Sequence, residues 1–269
     1  MAYFRTSDGV NLYYEVKGEG KPIVLIHGWS ADHTSFNQQL EDLSKDFKVV
    51  TYDLRGHGQS DRVDYGLTLN RFAIDLKELM DYLQLEDVVV AGWSMGALIV
   101  FEYIRTFGMS GLSSVAIIDM TPKLINDNEW KLGLYHGNFT VEDTFNVLTK
   151  MCNNWMDFGK EFTRIVVPYL KEEELEPVYE RLANNSPHVM YAMWIAMSAN
   201  DYRDVLEKIT VPTFIIYGQQ STLYSKDTAE YLNSKIQNSK IVPFENCTHM
   251  LVLENPKKLS ETIAELASK

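Results

Sequence analysis

The chain has 269 residues, enough for one large domain or for a core that carries an inserted subdomain. Hydrophobic residues make up 45% of it, and its net charge of −12 argues against binding to nucleic acids or anionic membranes. Its two cysteines, Cys152 and Cys247, have neither metal-ligand nor redox spacing, which predicts free thiols in a reducing compartment. Because the sequence has no signal-peptide pattern and no apolar run of about 18 residues, we expect a cytoplasmic protein.

Eight short runs of apolar residues predict strands. The first two form a hairpin, and most of the later ones are apolar on both faces, as is typical of strands buried in the middle of a parallel sheet. The predicted strands are Tyr3–Thr6, Leu12–Val16, Ile23–His27, Val49–Tyr52, Val88–Ala91, Val115–Ile118, Thr213–Tyr217 and Lys240–Phe244. Amphipathic segments between them predict helices, as where Phe72, Leu76 and Leu79 recur at helical spacing. The predicted fold class is therefore α/β, with a mostly parallel sheet flanked by helices.

The alternation of strands and helices stops near Thr121 and resumes near Val211. The residues between have no strand-like pattern and are rich in Trp, Tyr, Phe and Met. We interpret residues 121–210 as a helical cap inserted into a core that consists of residues 1–120 and 211–269. Most of its large apolar side chains would form the cap's own core, but a cap above the carboxyl edge of the sheet would also supply the walls of a substrate pocket. The candidate pocket residues are Trp130, Tyr135, Trp155, Met190 and Trp194.

The sequence Gly92-Trp93-Ser94-Met95-Gly96 follows a buried strand directly and precedes an apolar helical pattern. This is the context in which Gly-x-Ser-x-Gly forms a sharp strand-to-helix turn with an exposed serine hydroxyl. The small residues at 92 and 96 relieve crowding at the turn, and the helix N-terminus points N–H groups toward a developing oxyanion. The alternative is a serine that only caps the helix, and the context favours a nucleophile.

A serine nucleophile needs a base and donors for the oxyanion. His249 follows the last predicted strand, so it lies at the same edge of the sheet as Ser94 and is the predicted base. The backbone N–H of Met95 and that of Trp29, in the Gly turn after Ile23–His27, are the predicted oxyanion donors. An ordinary strand-to-helix loop is the alternative for the turn at Trp29. The remaining histidines have other expected places: His27 and His57 in structural turns, His33 at the surface, and His136 and His188 in the cap.

The motifs HGWS (27–30), DLRGHGQS (53–60), GWSMG (92–96) and CTHMLVLENP (247–256) together resemble the α/β-hydrolase fold over nearly the full chain. Trp29 after His-Gly and Met95 after the serine resemble the branch of aryl esterases, perhydrolases and cofactor-free haloperoxidases. The resemblance implies Ser94 as nucleophile, His249 as base, and Trp29 and Met95 as oxyanion donors. In DLRGHGQS we expect a structural ion pair between Asp53 and Arg55.

The sequence departs from the family pattern at the catalytic acid. Most members carry an Asp about three residues after the strand that ends here at Gly218, and Ser221 holds that place. A hydroxyl cannot offset the charge of an imidazolium, so another carboxylate must orient His249. Asp119 ends the strand next to that of Ser94, and some haloalkane dehalogenases and lipases of this fold carry the acid there. Capping of the next segment is the alternative role for Asp119.

The predicted function is a serine hydrolase that cleaves carboxylic esters through an acyl-enzyme, with small apolar or aryl esters as substrates and lactones or thioesters also open. Perhydrolysis by the same triad and a non-catalytic, ligand-binding protein are the two alternatives. We expect no cofactor, because the sequence has no metal-ligand spacing and no nucleotide-binding Gly pattern. The predicted partner is a small-molecule ester, without nucleic acid or membrane, and the sequence leaves a homo-oligomer open.

Overall fold

The computed structural model describes residues 2–269, and a sheet of eight strands runs through its centre. The strands are β1 (Ala2–Arg5), β2 (Asn11–Lys17), β3 (Pro22–Ile26), β4 (Lys48–Tyr52), β5 (Val88–Trp93), β6 (Leu112–Ile118), β7 (Thr213–Gly218) and β8 (Ser239–Phe244). Their order in the sheet is β1-β2-β4-β3-β5-β6-β7-β8. The pairs β1–β2 and β2–β4 are antiparallel, and all other pairs are parallel. The predicted α/β class is therefore confirmed.

Helices cover both faces of this sheet, and for this reason every residue of β5 and of β7 is buried. The helices are α1 (Asn37–Leu43), α2 (Leu69–Tyr82), α3 (Met95–Phe107), α4 (Leu134–Gly137), α5 (Val141–Asn153), α6 (Trp155–Val166), α7 (Glu172–Ala183), α8 (Pro187–Ser198), α9 (Lys226–Lys235), α10 (Leu251–Glu254) and α11 (Pro256–Ala267). Side chains of α2 and α3 pack in the core on one face, and those of α1 and α11 pack in the core on the other. Over residues 2–269, no helix has the length and apolar character to cross a membrane.

The helices α4–α8 all lie between β6 and β7, in the segment interpreted as a cap. Local sequence sets where they begin. Thr140 and Asp143 form a capping box at the start of α5, and the Asn154 side chain accepts the backbone N–H groups of Met156 and Asp157 at the start of α6. Residues of α6, α7 and α8 line one cavity together with Ser94, which follows β5, so these three helices stand beside the carboxyl edge of the sheet. The division into core and cap remains our interpretation.

Two predictions for the loops after β3 and β4 are wrong. His33 is buried rather than at the surface. Asp53 Oδ1 holds it there, since this oxygen accepts hydrogen bonds from His33 Nδ1 at 2.8 Å and from the His33 backbone N–H at 2.7 Å. The Asp53 carboxylate is thus already occupied, and Arg55 pairs instead with Asp75 at 2.6 Å and Asp8 at 2.9 Å. These acids come from distant parts of the sequence, so the motif alone could not reveal them.

Candidate active site

Ser94 stands in the sharp turn between β5 and α3. Its φ of 55° and ψ of −123° place it in a conformation that costs free energy for a residue with a side chain. The turn is held because Ser94 donates its backbone N–H to Ile118 O on the neighbouring strand, at 2.9 Å. Gly96 lets α3 start directly against β3, since a Cβ there would lie 2.3 Å from Ile26 O. The sequence thus builds the strained strand-to-helix turn that the motif predicts.

Asp119 and His249 meet beside this turn. Asp119 follows β6 with a left-handed φ of 44°, and its Oδ2 lies 2.7 Å from His249 Nδ1. Both side chains are buried. Trp93 Nε1 donates to His249 O at 2.9 Å and fixes the histidine loop against β5. With Nδ1 donating to the carboxylate, Nε2 is the ring nitrogen that can accept a proton.

A cavity of about 330 Å³ opens at the carboxyl edge of the sheet, and Ser94 and His249 both line it. Its remaining walls come from the loop after β3, the end of β5, the segment between β6 and β7, the loop after β7, and α10 with the loops around it. The apolar and aromatic residues among them are Trp29, Ala31, Trp93, Leu124, Leu134, Phe162, Val166, Val167, Tyr169, Leu170, Val178, Leu182, Trp194, Met197, Leu223, Tyr224, Met250 and Leu253. Such a lining favours apolar ligands, with Ser94 and His249 as the reactive polar groups.

The predicted oxyanion donors sit beside the serine. Within residues 2–269, neither the N–H of Trp29 nor that of Met95 donates to another protein group, so both can serve a ligand. The loop of Trp29 is close to the nucleophile, because a Cβ on Gly28 would lie 3.0 Å from Ser94 Cβ. The indole of Trp29 donates through Nε1 to Met190 O at 3.1 Å, which ties this loop to α8.

The structure places one of the five candidate pocket residues, Trp194, in the cavity wall. The other four lie outside the lining. Trp130 donates through Nε1 to Lys123 O at 2.9 Å, and Trp155 does so to Leu182 O at 2.9 Å, so both indoles support loops and helices around the cavity. Met190 and Tyr135 pack against the hydrophobic core behind the wall. Helical periodicity identifies apolar residues in this segment but does not show which of them face the sheet edge.

Two residues of the loop after β7 also belong to the site, and the motif search missed both. Ser221 Oγ donates to Asp119 Oδ2 at 2.8 Å. Tyr224 lines the cavity with its ring centroid 5.8 Å from that of His249. Burial, together with the nearby charge of Asp119, raises the pKa of Tyr224 well above its ordinary value, so the phenol stays neutral. The sequence did contain a signal for both residues, because they lie in the loop where most of the family carries the catalytic acid.

The strained Ser94 turn, the buried carboxylate–imidazole pair and the two free N–H groups on a parallel sheet are the arrangement of an α/β hydrolase. The chain belongs to this family, because the family model described as alpha/beta hydrolase fold matches residues 21–256. The prediction of the fold family is thereby confirmed. Among residues 2–269, no group of three His, Cys, Asp or Glu side chains is placed to hold a metal ion.

Individual relatives agree with this class. The chain is 30% identical to the AB hydrolase superfamily protein YisY of Bacillus subtilis, over 99% of this chain and 98% of that protein. An esterase from Exiguobacterium antarcticum is 26% identical with a TM-score of 0.91, covering 99% of both chains. A bromoperoxidase from Bacillus anthracis is 27% identical with a TM-score of 0.90, covering 100% of this chain and 99% of that one. Together with the family, the esterase supports the prediction of a carboxylic-ester hydrolase.

Proposed function

We propose that the protein hydrolyses carboxylic esters through an acyl-enzyme formed on Ser94. The observation that carries the proposal is the 2.7 Å contact between His249 Nδ1 and Asp119 Oδ2, beside a cavity that His249 and Ser94 both line. This contact orients the imidazole and leaves Nε2 as the base. A histidine in a merely structural role would not need a buried carboxylate next to a strained serine.

In the acylation step, Ser94 Oγ attacks the carbonyl carbon of the ester while His249 Nε2 takes the hydroxyl proton. The carbonyl oxygen becomes an oxyanion, which accepts hydrogen bonds from the N–H groups of Trp29 and Met95. When the C–O bond to the alcohol breaks, His249 returns the proton to the leaving oxygen. The Asp119 carboxylate offsets the transient charge on the imidazolium.

In the deacylation step, water takes the place of the alcohol. His249 removes a proton from the water as its oxygen attacks the acyl carbon, and the same N–H groups hold the second oxyanion. Breaking the bond between the acyl carbon and Ser94 Oγ releases the carboxylic acid, and His249 gives the proton back to the serine. The cycle therefore needs no group beyond the residues described and water.

The cavity walls support the proposed substrate class. Phe162, Trp194 and Leu223 are among the apolar side chains around Ser94, and such walls favour a small apolar acyl group or an aryl alcohol. Lactones fit the same chemistry, because the leaving oxygen would stay attached to the acyl chain. Rates over a panel of p-nitrophenyl esters, lactones and thioesters test this assignment. A preference for charged or strongly polar acyl groups would contradict it.

The proposal also names the partner and the location. The partner is a small-molecule ester, since a net charge of −12 disfavours nucleic acid and anionic membrane surfaces. The location is the cytoplasm, because both cysteines are free thiols and the exposed one, Cys152, would be prone to oxidation outside a reducing compartment. Fractionation of cells with an antibody against the protein checks the location.

The decisive experiment separates an enzyme from a non-catalytic binder. We expect a fluorophosphonate to label the native protein at Ser94, and Ser94→Ala to lose both the label and p-nitrophenyl ester turnover. Mass spectrometry of the labelled peptide identifies the residue. A folded wild-type protein that neither reacts with the phosphonate nor turns over any ester of the panel would be a binder, and the proposal would be wrong.

Perhydrolysis is a second candidate, because the chain resembles a bromoperoxidase over its whole length at 27% identity. In this reaction, hydrogen peroxide instead of water attacks the acyl carbon, so the product is a peracid. The same triad and oxyanion donors serve both reactions. Adding peroxide and measuring the ratio of peracid to acid in the products tells the two activities apart.

A further inference from the structure

The loop after β7 no longer carries an acid, but it still contacts the catalytic pair. Its Ser221 is buried, and the Oγ atom lies 2.8 Å from Asp119 Oδ2, the same oxygen that His249 Nδ1 contacts at 2.7 Å. The other carboxylate oxygen, Oδ1, accepts the backbone N–H of Gly218 at 3.1 Å. Gly218 at the end of β7 and Ser221 three residues later therefore hold both oxygens of Asp119.

The direction of the Ser221 hydrogen bond follows from its other neighbours. Ser221 Oγ also receives the backbone N–H groups of Leu223 at 3.3 Å and Tyr224 at 3.4 Å. Because these N–H groups can only donate, the hydroxyl accepts from them and its own proton points at Asp119. A hydrogen bond from a hydroxyl to a buried carboxylate is charge-assisted, and such bonds are stronger than those between neutral groups.

The loop is itself held in place from two sides. On the sheet side, Gln219 N donates to Phe244 O at 3.0 Å and Gln220 N donates to Cys247 O at 2.9 Å. On the other side, His136 in α4 contacts Ser221 O through Nε2 at 2.8 Å and donates its backbone N–H to Leu223 O at 3.2 Å. The loop is thus fixed between β8 and the segment that precedes α5.

The backbone of α4 is strained where it contacts the loop after β7. Tyr135 and His136 are consecutive residues with φ of 53°, in the left-handed region that residues with side chains rarely adopt. Strained backbone of this kind persists only where surrounding contacts enforce it. The bonds from His136 to the loop are such contacts, so α4 holds the Ser221 loop rather than only lying beside it.

We propose that Ser221 is a positioning residue of the triad, whose hydroxyl orients the Asp119 carboxylate toward His249. The proposal rests on the esterase function proposed above. In most of the family the position of Ser221 supplies the acid itself, and here it supplies the hydrogen-bond donor that fixes an acid on the neighbouring strand. Ser221 acts through Asp119 and touches no substrate.

The test compares three substitutions in the full-length protein. We expect Ser221→Ala to lower kcat for a p-nitrophenyl ester by about ten- to a hundredfold, as loss of a hydrogen bond to a charged group predicts, with KM nearly unchanged. Ser221→Thr keeps the hydroxyl and should retain most of the rate. Thr222→Ala is the matched control, because the Thr222 hydroxyl bonds to Ile165 O instead of Asp119 and is exposed.

A double-mutant cycle distinguishes positioning through Asp119 from a general structural role. If Ser221 works through Asp119, Ser221→Ala should change kcat by less than about twofold when Asp119 is already Asn. Equal fold-losses in both backgrounds would overturn the proposal, and so would full activity of Ser221→Ala. Failure of the proposed esterase function would give a different result, because Ser94→Ala would then keep its activity or Asp119→Asn would not lower kcat. Thermal unfolding of each variant confirms that the compared proteins are folded.

Discussion

The geometry around Asp119 allows the effect of Asp119→Asn to be worked out atom by atom. In the first orientation of the new amide, its oxygen faces His249 and Ser221, and its NH₂ group meets the Gly218 N–H where Oδ1 now accepts at 3.1 Å. Two donors then face each other in a buried site. In the second orientation the oxygen accepts from Gly218, and the NH₂ group faces His249 Nδ1, 2.7 Å from the present Oδ2 position.

In the second orientation the only donor that faces the NH₂ group besides the ring is the Ser221 hydroxyl, which can rotate away as the Gly218 N–H cannot, so we expect this orientation to dominate. It requires Nδ1 of His249 to accept a hydrogen bond, which moves the ring proton to Nε2. That nitrogen can then no longer take the proton of Ser94. The charge that offsets the imidazolium is lost as well. Both changes act on the transition state, and in other triads they lower kcat by about 10³- to 10⁴-fold, or about 4–5.5 kcal/mol.

The assay is the steady-state hydrolysis of a p-nitrophenyl ester, with kcat and KM measured separately. KM should change little, because Asp119 is not among the cavity-lining residues. The matched control is Asp227→Asn in the first turn of α9, the next acid along the chain after the Ser221 loop, which should leave kcat unchanged. Equal and mild effects of the two substitutions would refute the reasoning that Asp119 is the triad acid.

Three further predictions follow from other parts of the structure. Gly28→Ala should lower kcat about 10- to 100-fold in the same assay at similar KM, because its Cβ would lie 3.0 Å from Ser94 Cβ and displace the oxyanion loop; an unchanged kcat would contradict this. Phe162→Ala enlarges the cavity, so it should raise the ratio of kcat/KM for hexanoate esters to that for acetate esters, by a factor of about four for each methylene that enters the new space. Phe145→Ala, at an exposed position, should leave this ratio unchanged. Burial lowers the pKa of His57 to about 3. Below about pH 6.5 the unfolded chain therefore binds a proton at His57 that the folded protein does not bind, and the free energy of unfolding decreases as the pH falls. Between pH 7.5 and 5.5 this proton lowers the free energy of unfolding, measured with urea, by about 1.4 kcal/mol, and His57→Gln should lose less stability by that amount. Equal losses in both proteins would count against the assignment.

The sheet could be predicted closely because its strands are short buried runs between turns. β5 begins at Val88 as predicted, and β6 begins at Leu112 rather than Val115. The early start of β6 was missed because Ser113 and Ser114 interrupt the apolar run. Such polar residues are tolerated where a strand enters the sheet, and Ser113 Oγ bonds to Asp87 O at 2.6 Å.

The reactive residues at the sheet edge could also be placed from the sequence, since each follows a strand or turn with a recognisable pattern. The pocket walls could not. Trp155 and Trp194 look equivalent in the sequence, yet only Trp194 faces the cavity, because the packing of α6 against α5 and α7, and of α8 against α5, decides which face of each helix is turned inward. The same holds for His33, whose burial depends on Asp53, a residue twenty positions away in sequence.

The proposed triad, with its acid directly after β6, is divided along the chain. Ser94 and Asp119 both precede the helices α4–α8, and His249 follows them. A chain cut within these helices would yield one fragment with the proposed nucleophile and acid and a second with the proposed base. Neither fragment alone could hydrolyse an ester, so ester hydrolysis would measure the association of the two fragments. In most of the family, where the acid lies after β7, the same cut would leave the nucleophile by itself.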